Sequence, residues 1–151
     1  MPPPAADPDF EARTRASFAR QAAMATLGIA LERVAPGEVE LALPHRPDLT
    51  QQHGFLHAGV VSTALDSACG YAAFTLMPAD AAVLTIEFKV NLLAPARGPV
   101  LRVLGQVVKA GRTISVVDAR AWQRAPGTGE DQLVATMTAT VMTVLGRGLA
   151  G

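Results

Sequence analysis

The chain has 151 residues, of which half are hydrophobic and 17% are charged, a composition typical of a globular domain and not of a disordered protein. Its 13 basic and 13 acidic residues give a formal net charge of zero without any basic block, which argues against nucleic acid or an anionic membrane as the main partner. The single cysteine, Cys69, excludes an intrachain disulfide, and we expect a buried, inert thiol in a cytoplasmic protein.

The first residues are rich in proline and alanine and lack the apolar core of a signal peptide, so residues 1–6 are predicted to be disordered. Asp7 followed by Pro8 is typical of a helix start. Apolar side chains on one face then predict a short amphipathic helix that runs to about Thr26, with Gly28 as its natural stop.

Two short stretches of strand character, 27–34 and 38–43, flank Ala35-Pro-Gly37 and predict a β-hairpin. In the second stretch valine and leucine alternate with glutamate and alanine. One face of that strand is therefore predicted to be exposed to water.

The longest apolar stretch, residues 57–76, predicts a helix that is buried on nearly all sides. Asp66 lies near its middle and is its only charged residue. A carboxylate in such surroundings is costly unless hydrogen bonds or a function compensate it, so Asp66 is the strongest candidate for a functional residue. The structural alternative is an acid satisfied by Ser62 and Thr63, one helical turn earlier. A membrane span is not expected, because the stretch is weakly hydrophobic and has a carboxylate at its centre.

The remainder of the chain has the alternating, β-branched pattern of strands. Three or four strands are predicted, from the segments 83–93, 100–109, 113–123 and 133–144. A helix, two strands, a long buried helix and a strand meander predict an α+β domain over residues 7–145, followed by a frayed tail at 146–151. We expect a curved antiparallel sheet wrapped around the long helix, with a second copy of the chain covering the face that the sheet leaves open.

Two segments of the sequence occur together in one known family. The first is His57-Ala-Gly59 at the start of the long helix, with Asp66 nine residues after the histidine. The second is LTIEFKVNLLAPARG at 84–98, a strand that ends in Pro-Ala and Gly. In this order they resemble the hotdog-fold acyl-CoA thioesterases, and more narrowly the phenylacetyl-CoA thioesterase (PaaI-type) branch. The resemblance extends over about residues 27–144.

The resemblance implies hydrolysis of an acyl-CoA or aryl-CoA thioester, with Asp66 as the base that activates water or as a nucleophile that forms a transient anhydride. Backbone N–H groups of Ala58 and Gly59, at the helix N-terminus, would stabilise the oxyanion. Ala58 stands where relatives usually have glycine. His57 would orient the loop or the thioester, and an ordinary helix-start hydrogen-bonding role is the alternative.

Two further residues match family positions. Gln51 stands where relatives often have asparagine and would position the attacking water. Thr85 matches a serine or threonine that contacts the acid or the water in relatives, and the alternative is an ordinary strand threonine.

The substrate's CoA phosphates need cations, and the candidates are Arg97, Lys109 and Arg112 beside predicted turns. No cofactor is expected, since CoA is part of the substrate. No metal is expected either, because His53 and His57 lack a third-ligand pattern. The family implies a homodimer, in which the acid and the His-Ala-Gly turn of one site come from different subunits, and beyond it a homotetramer.

Two other functions remain open at this stage. A hotdog enoyl-CoA hydratase or dehydratase would pair a histidine with the acid for chemistry at the β-carbon. A non-catalytic acyl-CoA-binding or sensing domain would bind the same thioesters without turnover, because a fold does not determine a function. The sequence has no DNA-binding helix pair, which counts against a regulator.

Overall fold

The structure is a computed structural model, and it describes residues 3–151. The N-terminal part contains α1 (Phe10–Arg20), α2 (Ala22–Leu27), β1 (Ala30–Ala35), β2 (Glu38–Pro44) and a 3-10 turn at Pro47–Leu49. The long helix α3 (Ala58–Phe74) follows. The C-terminal half contains β3 (Ala82–Leu92), β4 (Val100–Lys109), β5 (Ile114–Arg124) and β6 (Asp131–Val144).

All six strands form one antiparallel sheet in the order β1-β2-β4-β5-β6-β3. Helix α3 lies across one face of this sheet and packs most closely on β4. This arrangement confirms the predicted α+β fold with one long helix against an antiparallel sheet. The predicted strands also correspond closely to the observed ones, because each has the alternating pattern of a surface that is half buried.

The position of β3 corrects the predicted meander. A meander would place β3 beside β4, but β3 pairs with β6 instead and lies at the edge of the sheet. The 14-residue strand β6 is long enough to pair with β5 along one side and with β3 along the other. As an edge strand, β3 leaves Leu84, Ile86 and Phe88 about half exposed in the single chain.

The predicted N-terminal helix is two helices. Gln21 has an extended backbone (φ −79°, ψ 96°) and separates α1 from α2, while its N–H donates to the Phe18 carbonyl. The second helix ends as predicted at Gly28, whose φ of 73° is left-handed and suits glycine. The break was not predicted because the apolar pattern continues through it.

The predicted helix start at Asp7 and Pro8 is also displaced, since α1 begins at Phe10. Asp7 still organises the approach to the helix, because its Oδ1 accepts the Asp9 N–H at 2.9 Å. Its Oδ2 accepts from the Arg13 guanidinium at 2.7 Å.

The core lies between α3 and the sheet. The predicted burial of α3 on nearly all sides holds from Ala64 onward, apart from Asp66, which is half-buried. At Gly105 on β4 the helix approaches so closely that a Cβ atom would lie 2.3 Å from the Ala68 carbonyl oxygen, so this contact requires glycine. The Cys69 thiol is fully buried as predicted, and burial raises its pKa, which keeps it protonated.

Both ends of the described chain are irregular. Residues 3–6 have no helix or strand, while residues 1 and 2 lie outside the described residues, so the predicted disorder of 1–6 stays a prediction. The tail at 146–151 also has no helix or strand, and the Arg20 guanidinium donates to the Gly151 carbonyl. Across residues 3–151, none of the helices combines the length and apolar character needed to span a membrane.

Candidate active site

A tight turn at 51–56 leads into α3. The Gln51 N–H donates to the Phe55 carbonyl at 2.9 Å, and the Gln51 side-chain oxygen accepts the His53 N–H at 2.6 Å. Gly54 has a φ of 82°, which lets the chain reverse between these contacts. Gln51 thus shapes the loop through its carbonyl oxygen, and its predicted contact with water stays a prediction.

The N–H groups in the first turn of α3 differ in whether they have a hydrogen-bond partner. His57 is the N-cap, and its Nδ1 accepts the Gly59 N–H at 2.9 Å. The His57 carbonyl accepts from Val60 and Val61. The Ala58 N–H makes no hydrogen bond with any residue in 3–151. Of the two amides predicted for the oxyanion site, Ala58 is therefore the available donor, because the Gly59 N–H is bonded to His57. This bond is a helix-start contact of His57, and the predicted contact of His57 with the thioester stays a prediction.

Asp66 is hydrogen-bonded across to the sheet. Thr85 Oγ1, on the edge strand β3, donates to Asp66 Oδ1 at 2.7 Å. The predicted alternative, in which Ser62 and Thr63 satisfy the acid, is wrong: both hydroxyls donate to the backbone carbonyl four residues earlier in α3, at 2.8 Å. In the middle of a helix these short side chains reach their own backbone more easily than a neighbouring side chain.

A cleft of about 180 Å³ opens at Asp66 between α1, α3 and the start of β3. Its wall includes two aromatic rings, Tyr71 and Phe74, which meet edge to face at 5.9 Å. The Tyr71 hydroxyl lies 3.2 Å from Ser17 Oγ, and burial raises the pKa of Tyr71, so this hydroxyl is neutral. The cleft thus combines one carboxylate with an aromatic wall and a neutral hydroxyl pair.

A second cleft, of about 350 Å³, opens at the start of α3. Gln51, Phe55 and Ala58 lie on one side of it, and residues 92–96 lie on the other. Ala58 and Asp66 are eight residues apart in α3, which separates them by about 12 Å along the helix axis and roughly 80° around it. Within one chain these two groups therefore face different clefts.

Basic side chains lie beside the second cleft. The Arg97 guanidinium stacks over the Phe55 ring at 4.5 Å, and Arg97 shares a third cleft, of about 560 Å³, with His45 and Arg124. Sequence reasoning missed His45 and Arg124. Arg124 carried a weak signal, as a cation at the end of a predicted strand, but only the fold brings it to Arg97.

The other two predicted cations lie elsewhere. Lys109 ends β4 and Arg112 follows it in the hairpin to β5, whereas Arg97 precedes β4. The ten residues of β4 place these ends roughly 30 Å apart. The three predicted cations therefore do not form one cluster within a chain.

Comparison with known proteins finds a family that matches this chain. The family model described as the Thioesterase superfamily matches residues 53–130. A thioesterase family protein from Silicibacter pomeroyi is 55% identical, with a TM-score of 0.87, and the match covers 91% of this chain and 99% of that one. The PaaI protein of the phenylacetic acid degradation operon of E. coli has a TM-score of 0.79 at 18% identity, covering 90% and 94% of the two chains, which shows a shared fold.

The matches to curated relatives cover a smaller part of each protein. A candidate esterase from Halobacterium salinarum is 34% identical over 97 residues, which cover 61% of this chain and 64% of that protein. A candidate esterase from Saccharolobus solfataricus is 35% identical over 96 residues, which cover 64% and 63%. The match therefore spans less than two thirds of the length of either relative.

Proposed function

Because this chain belongs to the thioesterase superfamily, with the hotdog fold that the sequence predicted, we propose that it hydrolyses an acyl-CoA or aryl-CoA thioester to the free acid and CoA. The observation that carries the proposal is the Asp66 carboxylate, which lies at a cleft and is oriented by the Thr85 hydroxyl at 2.7 Å. A carboxylate held in this way can accept a proton from a water molecule or attack a carbonyl carbon itself.

The reaction follows from these groups. A water oxygen attacks the thioester carbonyl carbon while Asp66 accepts one of its protons, and the carbonyl oxygen becomes an oxyanion. The Ala58 N–H, which has no other partner among residues 3–151, donates to that oxyanion. The C–S bond then breaks, and the proton held by Asp66 moves to the departing thiolate sulfur. In the nucleophilic variant Asp66 attacks the carbon, expels the thiolate and forms an anhydride that water hydrolyses.

The separation of Ala58 and Asp66 supports a site made by two chains. A thioester carbonyl cannot reach two groups about 12 Å apart along one helix, so one site takes Asp66 from one copy and Ala58 from the other. A two-fold axis then creates two equivalent sites in a homodimer. The free edge of β3, with Leu84, Ile86 and Phe88 exposed, is the surface that such a dimer would cover. A homotetramer built from two such dimers remains part of the proposal.

We propose that the CoA moiety binds at the third cleft, which contains Arg97, Arg124 and His45. An acyl-pantetheine chain in the apolar cleft at Ala58 would lead its phosphates toward Arg97, with Arg124 and His45 beside it. Arg124 shares one carboxylate, Asp131, with Arg102, so cations outnumber acids at this position. Lys109 and Arg112 stay predicted contacts. We propose a cytoplasmic enzyme that needs no metal or redox cofactor.

Free-thiol release from phenylacetyl-, benzoyl-, hexanoyl- and crotonyl-CoA tests this function, with wild type and Asp66→Asn. Loss of a general base or nucleophile predicts a fall in kcat of at least about 100-fold in the variant. Asp118→Asn is the matched control, because Asp118 also accepts a threonine hydroxyl, that of Thr138 at 2.8 Å, but lies on the opposite face of the sheet.

The outcomes separate the candidate functions. Turnover in wild type and Asp118→Asn that is lost in a folded Asp66→Asn supports a thioesterase that uses Asp66. Saturable binding of these esters without thiol release would favour a sensing domain, and hydration of crotonyl-CoA would favour a hydratase. Full activity of Asp66→Asn would contradict the proposed mechanism.

A further inference from the structure

We infer that Gln123, on β5, is a positioning residue for the start of α3, and that it acts on the reaction through the loop at 94–98. This inference rests on the proposed function, because it concerns the placement of the Ala58 N–H. Gln123 is 1% exposed and is the largest polar side chain in the core. Its amide contacts the loop between β3 and β4 and Gln132 on β6, and it does not contact Asp66.

The Gln123 side chain uses its full hydrogen-bonding capacity, and most of it on one loop. Its oxygen accepts the Arg97 N–H at 2.8 Å and the Gly98 N–H at 3.3 Å. Its Nε2 donates to the Pro95 carbonyl at 2.9 Å and to the Gln132 side-chain oxygen at 3.0 Å. Three of the four partners are therefore backbone groups of the loop, 25 to 28 residues away in sequence.

The loop needs such a partner because it leaves the sheet. Residues 93–99 cross from β3, at one edge, to β4 in the interior of the sheet. Leu93 and Ala94 still donate to the Val134 carbonyl of β6, at 2.8 and 3.2 Å, but no backbone hydrogen bond joins residues 95–98 to a strand of the described chain. Buried N–H and carbonyl groups without partners are costly. A glutamine amide offers both an acceptor and a donor. One side chain can therefore bond both the N–H groups and the carbonyl group of the loop, as a neighbouring strand would.

The loop in turn holds the segment that begins α3. The Ala96 carbonyl, on a residue 4% exposed, accepts the Leu56 N–H at 2.9 Å. Leu56 lies two residues before Ala58. Residues 93–96 also form the wall of the cleft opposite Ala58. The contacts therefore run continuously from the Gln123 amide through Pro95–Gly98 to Leu56 and the helix start.

If these contacts shift, the free energy of the transition state should change more than the free energy of substrate binding. The oxyanion exists only in the transition state, and a donor moved by about 1 Å from its place can cost up to 100-fold in rate. Loss of the Gln123 contacts is therefore expected to lower kcat more than it raises KM.

The test compares Gln123→Met with Gln132→Met in the full chain. Both substitutions replace an amide by an unbranched thioether of similar length. Only the first removes the hydrogen bonds to the loop, whereas both remove the side-chain hydrogen bond between Gln123 and Gln132. With rates normalised to folded protein and measured well below each melting temperature, we expect kcat to fall at least tenfold in Gln123→Met and less than twofold in Gln132→Met.

Gln123→Glu provides a second variant. It keeps the two acceptor contacts to Arg97 and Gly98 and loses the donor, so its kcat should lie between those of wild type and Gln123→Met. A Gln123→Met protein with a lower melting temperature but wild-type kcat and KM per folded molecule would overturn the inference, because it would show a structural role alone.

Amide hydrogen exchange supplies a readout that does not depend on activity. We expect faster exchange at 55–60 and 94–98 in Gln123→Met, while β5 and β6 stay protected. If wild type hydrolyses no thioester but this pattern appears, the proposed function fails and the positioning contact stands. Unchanged exchange at 55–60 would overturn the inference whether or not the enzyme is active.

Discussion

Two adjacent residues at the start of α3 have different roles at the scale of single side chains. His57 closes the helix by accepting the Gly59 N–H, while Ala58, at the first helical position, keeps its N–H free of partners within residues 3–151. The free N–H groups of a helix N-terminus carry the positive end of the helix dipole. We therefore propose the Ala58 N–H as the group that stabilises a developing negative charge.

This arrangement allows one N–H to be removed without disturbing the helix. Proline is well tolerated at the first helical position, and His57 before it has φ −60° and ψ 139°, a conformation compatible with a following proline. Ala58→Pro should therefore keep the fold and lower kcat by about 100- to 1000-fold, the usual effect of losing an oxyanion donor. Thiol release and circular dichroism measure the two effects.

The control is the same substitution in another helix. Ala22 is the first residue of α2, also follows an extended residue, and donates no hydrogen bond within the described chain. Ala22→Pro should retain wild-type kcat. A folded Ala58→Pro enzyme with wild-type kcat would remove Ala58 from the mechanism.

At the scale of elements, an ion pair between Asp7 and Arg13 helps to hold α1 against the end of α3. Asp7 lies before α1, and Arg13 lies within it. Arg13 is held by Asp7 at 2.7 Å, donates to the Phe74 and Met77 carbonyls at 3.1 and 2.9 Å, and stacks over the Phe74 ring at 4.2 Å. Those carbonyls lie at the helix C-terminus, where a cation is favourable. The pair thereby fixes the aromatic wall of the Asp66 cleft.

The contribution of this ion pair to the free energy of unfolding depends on pH. The Asp9 N–H, and after it the Arg13 guanidinium, hold the pKa of Asp7 below its usual value. A carboxyl whose pKa is lower in the folded state stabilises the fold above its unfolded pKa, and this contribution is lost as the pH falls through the folded pKa. Asp7→Asn should therefore lower Tm at pH 7, and its difference from wild type should begin to shrink near about pH 4 and disappear only below the folded pKa of Asp7.

Thermal melts from pH 2 to pH 8 measure this dependence. Asp9→Asn is the control, since the Asp9 side chain makes no capping hydrogen bond, and its melts should follow wild type throughout. A difference between Asp7→Asn and wild type that is constant with pH would contradict the assigned role of the Asp7 charge.

At the scale of the whole molecule, the two groups proposed for one site lie in separate clefts of the chain. The Asp66 cleft and the Ala58 cleft have no lining residue in common. The edge strand β3 contributes Thr85 to the first and Leu92 to the second, and it carries exposed Ile86 and Phe88 between them. A second copy at this edge would therefore complete the chemistry and cover apolar surface at the same time.

Subunit mixing tests this composition. Ala58→Pro and Asp66→Asn should each be inactive alone, but a mixed dimer would contain one intact site and one doubly defective site. Random exchange makes half of the dimers mixed, so about a quarter of wild-type activity should return. Coexpression with two different affinity tags isolates the mixed dimer. Its failure to regain activity would show that the site lies within one chain.

The elements of the fold followed from the sequence because their signals are local. The two-residue alternation of the strands and the apolar run of α3 are properties of neighbouring residues, and the structure has both ends of every predicted strand within three residues of their expected positions. Asp66 was also recognisable, since one charge in an apolar helix is visible without any tertiary information.

Contacts between distant segments depended on the tertiary structure. The pairing of β3 with β6, the hydrogen bond from Thr85 to Asp66 in place of Ser62 and Thr63, and the contact of Gln123 with the 94–98 loop join residues between 19 and 62 positions apart. A local pattern specifies which face of a segment is buried, but the partner on that face is set by packing of the whole chain. The sequence alone thus determined the strands, the long helix and the candidate acid, whereas the tertiary structure decided which amide at the helix start is free and which side chains contact Asp66 and the 94–98 loop.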